Sequence, residues 1–337
     1  MRPIDDNLPA ERDSVSGDLL AGYHGIPIAL QATLAAAHDY LGAKLADSTR
    51  RAYRSDFAVF TSWCAVYALA STPAGPDTVA LFLADQAQAG FAVVTLSRRL
   101  AAIRYAHRLQ ALPSPTEHAM VRDTLAGIAR RHGSLPRNQK QPLTDHEVAL
   151  LLRDCPVETP IGLRDRALIA LGFAGAFRAG ELAALTLDRL RFLPDGHMVV
   201  LLARSKNDPS GRGFEKPIFN GGRLAPVDAL RAWLTTAAIE DGAVFRPVHR
   251  SGRVQPMELS AQAICRMVQQ RATAVLGRPQ AEIGAHSLRS GFITTAGDYG
   301  EELARIMEVT GQSDPRTVLR YLRRVNRFKE HAGRGFL

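Results

Sequence analysis

Leu190-Arg191-Phe192-Leu193-Pro194-Asp195-Gly196-His197-Met198-Val199-Val200-Leu201-Leu202-Ala203 is the stretch where the hydrophobic period of this chain changes. Two short apolar runs, Leu190 to Leu193 and His197 to Ala203, flank the turn residues Pro194-Asp195-Gly196, so the segment reads as a β-hairpin. Phe214 to Phe219 reads as a third strand. Elsewhere the apolar residues recur at helical spacing. One small antiparallel sheet in an otherwise helical chain makes the fold class α+β.

Working outward, the chain returns to helix past Pro226 through Leu230 and Trp233, again from Ser260 to about Val275, and across the region from His286 to Tyr321. Upstream of the hairpin, helices extend back to Pro142-Leu143-Thr144-Asp145-His146-Glu147. Thr144 followed three residues later by Glu147 is a capping-box signal, and a domain starts there. Before it, Gly133 to Gln141 is polar, contains Pro136 and lacks periodicity, as an interdomain linker would. From Ile26 to His132 four or five short helices make a bundle. Ser48-Thr49 cap one that carries Tyr53, Phe57, Phe60 and Trp63; Gly75-Pro76-Asp77 opens another; a third runs from Thr95 to about Leu109, and a fourth follows Ser114-Pro115-Thr116. The expected order is an acidic tail (1–25), a helical domain (26–132), a linker (133–141), a second domain (142–325) and a C-terminal tail (326–337).

The 337 residues carry a net charge of +9, although residues 1–25 hold five acidic against two basic residues, so the rest is more basic than the whole. Surplus Lys and Arg favour a polyanionic partner through counterion release, with nucleic acid first. No basic amphipathic helix or lipidation signal points to a membrane. The apolar run Ala167 to Phe177 is too short to span one. Cys64, Cys155 and Cys265 lie far apart without metal-ligand spacing, which suits a reduced, cytoplasmic protein with buried thiols. In the helical domain, Arg50, Arg51 and Arg54 cluster on one helix, and Arg98, Arg99, Arg104 and Arg108 with His107 on another. Each cluster alone is an ordinary solvated face, but two in one small domain favour contact with a DNA backbone.

The second domain carries an ordered set of phosphate-directed residues. Arg178 stands in Ala-Phe-Arg-Ala-Gly-Glu-Leu, Lys206 in Ala-Arg-Ser-Lys-Asn-Asp, His286 and Arg289 in Ala-His-Ser-Leu-Arg, and Tyr321 in Thr-Val-Leu-Arg-Tyr. Singly, each has a plain explanation. Arg178 and Glu181 are spaced as a helix-face ion pair, Lys206 as a loop lysine, and Tyr321 as half-buried core. Together, two guanidiniums, an ammonium, an imidazole and a phenol are what covalent attack on a phosphodiester needs without a metal. Guanidiniums from Arg178 and Arg289 can neutralise and orient both non-bridging oxygens, and losing one such donor should cost about 3 to 4 kcal/mol at the transition state. Tyr321 would be the nucleophile, and its phenol would shed its proton to His286 as it attacks. No Walker A pattern, HExxH or clustered metal ligand occurs, so no cofactor or metal is expected.

Phe-Arg-Ala-Gly-Glu-Leu-Ala-Ala-Leu, Arg-Ser-Lys-Asn, His-Ser-Leu-Arg-Ser-Gly-Phe and Thr-Gly-Gln-Ser-Asp-Pro-Arg-Thr-Val-Leu-Arg-Tyr resemble, in order, the catalytic signature of the tyrosine recombinase (phage integrase) family. Ser48-Thr49-Arg50-Arg51-Ala52-Tyr53, with Phe57, Phe60 and Trp63, resembles a helix of that family's DNA-clamping domain. The resemblance spans roughly residues 26 to 325. It implies that Lys206, on a loop beside the sheet, protonates the leaving 5′-oxygen, and that the product is a 3′-phosphotyrosyl link which another strand's hydroxyl can resolve without ATP. Glu181 then holds Arg178. Gln312 departs from the pattern, standing where most members carry His or Trp; an amide still donates a hydrogen bond but carries no charge. The implied partner is double-stranded DNA with inverted-repeat recombination sites, bound by a homo-tetramer on paired sites, in a nucleoid-associated setting. The alternatives are a DNA-binding accessory protein of the same fold with impaired cleavage, and a type IB topoisomerase-like enzyme. Phe328 and Phe336-Leu337 are candidates to dock on a neighbouring protomer.

Overall fold

The computed structural model describes residue 45 and residues 47–133, 140–202 and 213–325. Two compact units divide between Arg137 and Asn138. The acidic tail, most of the linker, the loop bearing Lys206 and the C-terminal tail lie outside the described residues.

Among the described residues, the first unit contains four α-helices: α1 (Asp47–Val66), α2 (Pro76–Gln88), α3 (Val93–Leu109) and α4 (Ala119–His132). Its core is aromatic. Phe57, Phe60, Phe82, Leu83, Leu96 and Ile103 are buried, and Phe60 and Trp63 both meet the Phe82 ring edge-on, with centroids 5.1 Å and 5.4 Å away. Pro76 opens α2 from an extended Gly75 as expected, because proline's fixed φ suits the first helical position. The start of α1 differs from expectation. That helix already runs at Asp47, so Ser48 and Thr49 lie in its first turn instead of ahead of it.

The second unit begins with α5 (Asp145–Asp154), whose capping box is formed as the sequence predicts: Thr144 Oγ1 accepts from the Glu147 backbone N–H and Glu147 Oε2 from that of Thr144. Next come α6 (Pro160–Ala174), the short α7 (Ala179–Ala183), and strands β1 (Leu190–Phe192), β2 (Met198–Leu202) and β3 (Phe214–Ile218). The chain continues through α8 (Pro226–Thr236), α9 (Ala261–Leu276), α10 (His286–Asp298), α11 (Leu303–Thr310) and α12 (Pro315–Val325). The sheet is antiparallel in the order β1-β2-β3, with Leu190 opposite Val200 and Met198 opposite Ile218. Pro217 lies in β3, an edge strand, where a residue without an N–H is tolerated.

The second half of α6 is apolar around its circumference because it is enclosed: Ala167 to Leu171 are fully buried. Its one buried carboxylate, Asp165, accepts from Arg164 and, through Nε and Nη2, from Arg271 of α9, so the charge is paired within the core. Two glycines set close packing for α10. A Cβ on Gly291 would stand 1.8 Å from the Leu143 carbonyl oxygen, and one on Gly297 2.4 Å from a methyl of Leu322 in α12. These approaches fix the helix that begins at His286 against the one that carries Tyr321. Cys64 and Cys155 are buried free thiols, which burial pushes up to about 11; Cys265 is half-buried. Among the described residues, no helix is long and apolar enough to cross a membrane.

Candidate active site

The site forms around the turn that follows α6. Gly175 ends the helix, Ala176 takes the left-handed conformation at φ 47°, and Arg178 emerges at the start of α7. A β-carbon makes that conformation costly, so the turn needs outside support. Two buried cations supply it on successive carbonyls: Arg289 Nη1 donates to Ala176 O at 2.6 Å, and Lys216 Nζ donates to Gly175 O at 2.7 Å.

Arg178 is held from its own helix. Glu181 accepts from the Arg178 backbone N–H through Oε2 at 2.9 Å and from Nη1 through Oε1 at 2.6 Å, while the Arg178 side chain stays one-quarter exposed. One face of its guanidinium is thus pinned to a carboxylate. Arg289 is 1% exposed, and its Nη2 is buried without a hydrogen-bond partner. A buried guanidinium donor left unsatisfied costs free energy, and an anion arriving beside it would remove that cost. Burial, then the nearby Arg178, pull the Arg289 guanidinium down to about 10, with Glu181 and Tyr321 acting in the opposite sense.

His286 and Arg289 lie one turn apart at the start of α10. The His286 Nε2 is 3.0 Å from the Tyr321 hydroxyl, and the two rings are tilted with centroids 6.5 Å apart. The imidazole lies at the surface, backed by protein. That partial desolvation, then the charges of Arg289 and Arg178, hold its pKa below the ordinary histidine value. A neutral imidazole facing a phenol hydroxyl can accept its proton. Tyr321 itself packs its ring against the small cluster of Ile293, Ile306 and Val318, so the hydroxyl is aimed by the core beneath it.

Gln312 follows Gly311, the left-handed residue that ends α11, and its Oε1 is buried without a partner. The structure therefore assembles Arg178, Glu181, His286, Arg289 and Tyr321 by contact or mutual charge. Lys206 lies outside the described residues. The sequence reading missed Lys216, which is 1% exposed and donates also to Val309 O at 2.6 Å. A signal existed: Phe214, Lys216 and Ile218 share one face of β3, so a strand whose neighbours face the core carries a lysine inward.

Of the arginines proposed from the first unit, Arg51, Arg54 and Arg108 are exposed and Arg50 is half-buried. Arg98 is exposed but paired to Asp56 at 2.6 Å, and Arg104 bonds Thr116 Oγ1. Arg99 does not fit the expectation of a DNA contact. It is 6% exposed, its guanidinium bonds Gln86 and lies 4.1 Å from the Phe91 ring centroid.

Residues 141–327 match the model of the phage integrase family, and residues 39–110 that of the phage integrase N-terminal SAM-like domain. The chain belongs to the phage integrase family. It is a tyrosine recombinase, of the enzyme class that breaks and rejoins DNA. Among its family relatives, an integrase/recombinase XerD homolog of Selenomonas ruminantium is 34% identical over 295 residues, covering 85% of this chain and 84% of that protein. The tyrosine recombinase XerD of Yersinia pestis is 25% identical, covering 84% and 88%. In fold, this integrase-family chain is similar to the XerH recombinase bound to palindromic difH DNA (TM-score 0.56, 17% identity, 77% of this chain and 72% of that one). It is also similar to the Tn1549 transposon integrase with transposon right-end DNA (TM-score 0.54, 13% identity, 82% and 90%).

Proposed function

We propose that the protein is a site-specific recombinase that cuts and rejoins duplex DNA through a 3′-phosphotyrosyl intermediate. The observation that carries this reading is the hydroxyl of Tyr321 set 3.0 Å from His286 Nε2, beside an arginine with an unpartnered buried N–H. A phosphodiester seated on Arg178 and Arg289 is neutralised at its two non-bridging oxygens. Tyr321 Oη attacks phosphorus as His286 takes the phenol proton, the P–Oη bond forms and the P–O5′ bond breaks. Lys206, by the family resemblance, returns a proton to the 5′-oxygen. The reverse steps, with a 5′-hydroxyl from another strand, rejoin the DNA.

Exposed Arg51, Arg54 and Arg108 would contact the DNA backbone, with Arg50, Arg98 and Arg104 beside them. On this reading the protein would act on inverted-repeat sites as four copies in the cytoplasm; the XerH recombinase, similar in fold, is bound to a palindromic difH substrate. The test uses a library of nicked duplexes with randomised inverted arms. Wild type should capture a subset covalently, sequencing of which gives the site, and Tyr321→Phe should bind that subset without capture. Binding by wild type with no capture would favour an accessory protein, and relaxation of supercoiled DNA lacking the site would favour a topoisomerase.

A further inference from the structure

We propose that Lys216 is a positioning residue of this active site: its side chain ties β3 to the Gly175 carbonyl ahead of Arg178 and to the Val309 carbonyl ahead of Gln312, and so sets where those two residues meet the phosphate. The inference rests on the recombinase reading above. Lys216 bonds two carbonyls from two different segments, Gly175 at 2.7 Å and Val309 at 2.6 Å. Gly175 is three residues from Arg178, and Val309 three residues from Gln312. One buried amine therefore joins two backbone segments that lead to site residues.

The surroundings leave the amine no alternative role as a surface charge. Its Nζ stands 5.1 Å and 5.5 Å from the ring centroids of Phe177 and Phe214, and its other neighbours of opposite or like charge are those of the active site itself. Burial pulls the ammonium down to about 7; Glu181 supports the charge, and Arg289 and Arg178 oppose it. The backbone is closely packed on both sides: a Cβ on Gly175 would fall 2.2 Å from the Phe177 ring, and one on Gly311 3.0 Å from the Phe214 ring. Ala176, held at positive φ between the Gly175 and Arg289 contacts, has no intrinsic preference for its conformation. Without Lys216 the turn loses one of its two supports, and the Arg178 backbone moves with it.

The test is a double-mutant cycle on single-turnover capture of the nicked duplexes selected with wild type. Lys216→Met keeps the length of the stem and removes the donors. It should bind the duplex within about threefold of wild type but form the phosphotyrosyl adduct on the order of a hundredfold more slowly. Arg178→Ala should then cost far less in the Lys216→Met background than in wild type, because its guanidinium is already misplaced. A control, Val200→Ala, removes buried volume from the neighbouring strand and should lower Tm while leaving capture unchanged. If Lys216→Met does not fold, Lys216→Gln, which retains an N–H donor on a shorter stem, carries the same cycle. Wild-type capture with additive effects of the two substitutions, or capture by Lys216→Met at the wild-type rate, overturns the positioning role and leaves the recombinase reading standing. Absence of capture by wild type itself overturns both. A 5′-bridging phosphorothiolate, whose leaving thiolate needs no proton, should not rescue Lys216→Met; rescue would make the lysine a proton donor and overturn positioning.

Discussion

His286 shows how one residue's surroundings select its protonation state. Partial desolvation and the charges of Arg289 and Arg178 depress its pKa, so near neutral pH the imidazole is free to receive the phenol proton 3.0 Å away. As pH falls through that depressed value the ring takes a proton from solvent and can no longer accept one from Tyr321. The acid limb of the cleavage kcat/KM should therefore lie below the ordinary histidine pKa of about 6.5. A limb centred above that value would make the imidazolium the working form. Arg99 and Arg54 give a second contrast at this scale. Exposed Arg54, replaced by alanine, should weaken DNA binding without changing Tm, and lower the slope of log affinity against log salt by about 1. Arg99→Ala should instead lower Tm, because it leaves the Gln86 Oε1 buried without its guanidinium donor and strips the packing against the Phe91 ring. Equal loss of Tm in both variants would contradict the assignment of the two side chains.

At the scale of the element, the hydrophobic period identified most of the architecture. The turn Pro194-Asp195-Gly196 between the apolar runs Leu190 to Leu193 and His197 to Ala203 placed the hairpin, and Thr144 with Glu147 placed the start of α5. Local signals failed where tertiary packing decides. Arg98 and Arg99 are adjacent on α3, so about 100° separates them around the helix; Arg98 faces solvent and Arg99 the core, and their shared charge did not say which. Lys216 stands at an inward register of β3, legible only once the strand's buried face is known. The pairing of His286 with Tyr321 across α10 and α12 depends on Gly297 admitting Leu322, which no local period reports. Two alanine substitutions test this packing. Gly291→Ala puts a methyl group against the Leu143 carbonyl and should destabilise the second unit by about 1 to 3 kcal/mol. Gly127→Ala, in α4 with open space at its Cβ, should stabilise the first unit by about 1 kcal/mol. Calorimetry should show opposite shifts in the two variants, and shifts of the same sign would refute the packing described.

For the whole molecule, the proposed chemistry turns on a single chain carrying both the candidate nucleophile and the groups proposed to activate it. Tyr321 lies beside His286 of its own chain, on α12 packed against α10, with the Leu322 side chain filling the space left by Gly297. If several copies assemble on paired sites as proposed, each would hold a complete site and gain nothing chemical by exchanging tyrosines. Mixing two inactive variants tests this. Tyr321→Phe keeps the arginines and lacks the nucleophile; Arg289→Ala keeps the nucleophile and lacks the buried guanidinium. If each tyrosine serves its own subunit, every mixed assembly on the selected duplex stays inactive at all ratios, because no chain holds a complete set. If the tyrosine were donated to a neighbour, a mixed pair would place an intact Tyr321 over an intact Arg289, and capture would rise to a maximum near equal proportions. Covalent capture measured across the mixing series should be flat at the background of either variant alone, and a peak would show that the contact between Tyr321 and His286 is exchanged when the protein assembles on DNA.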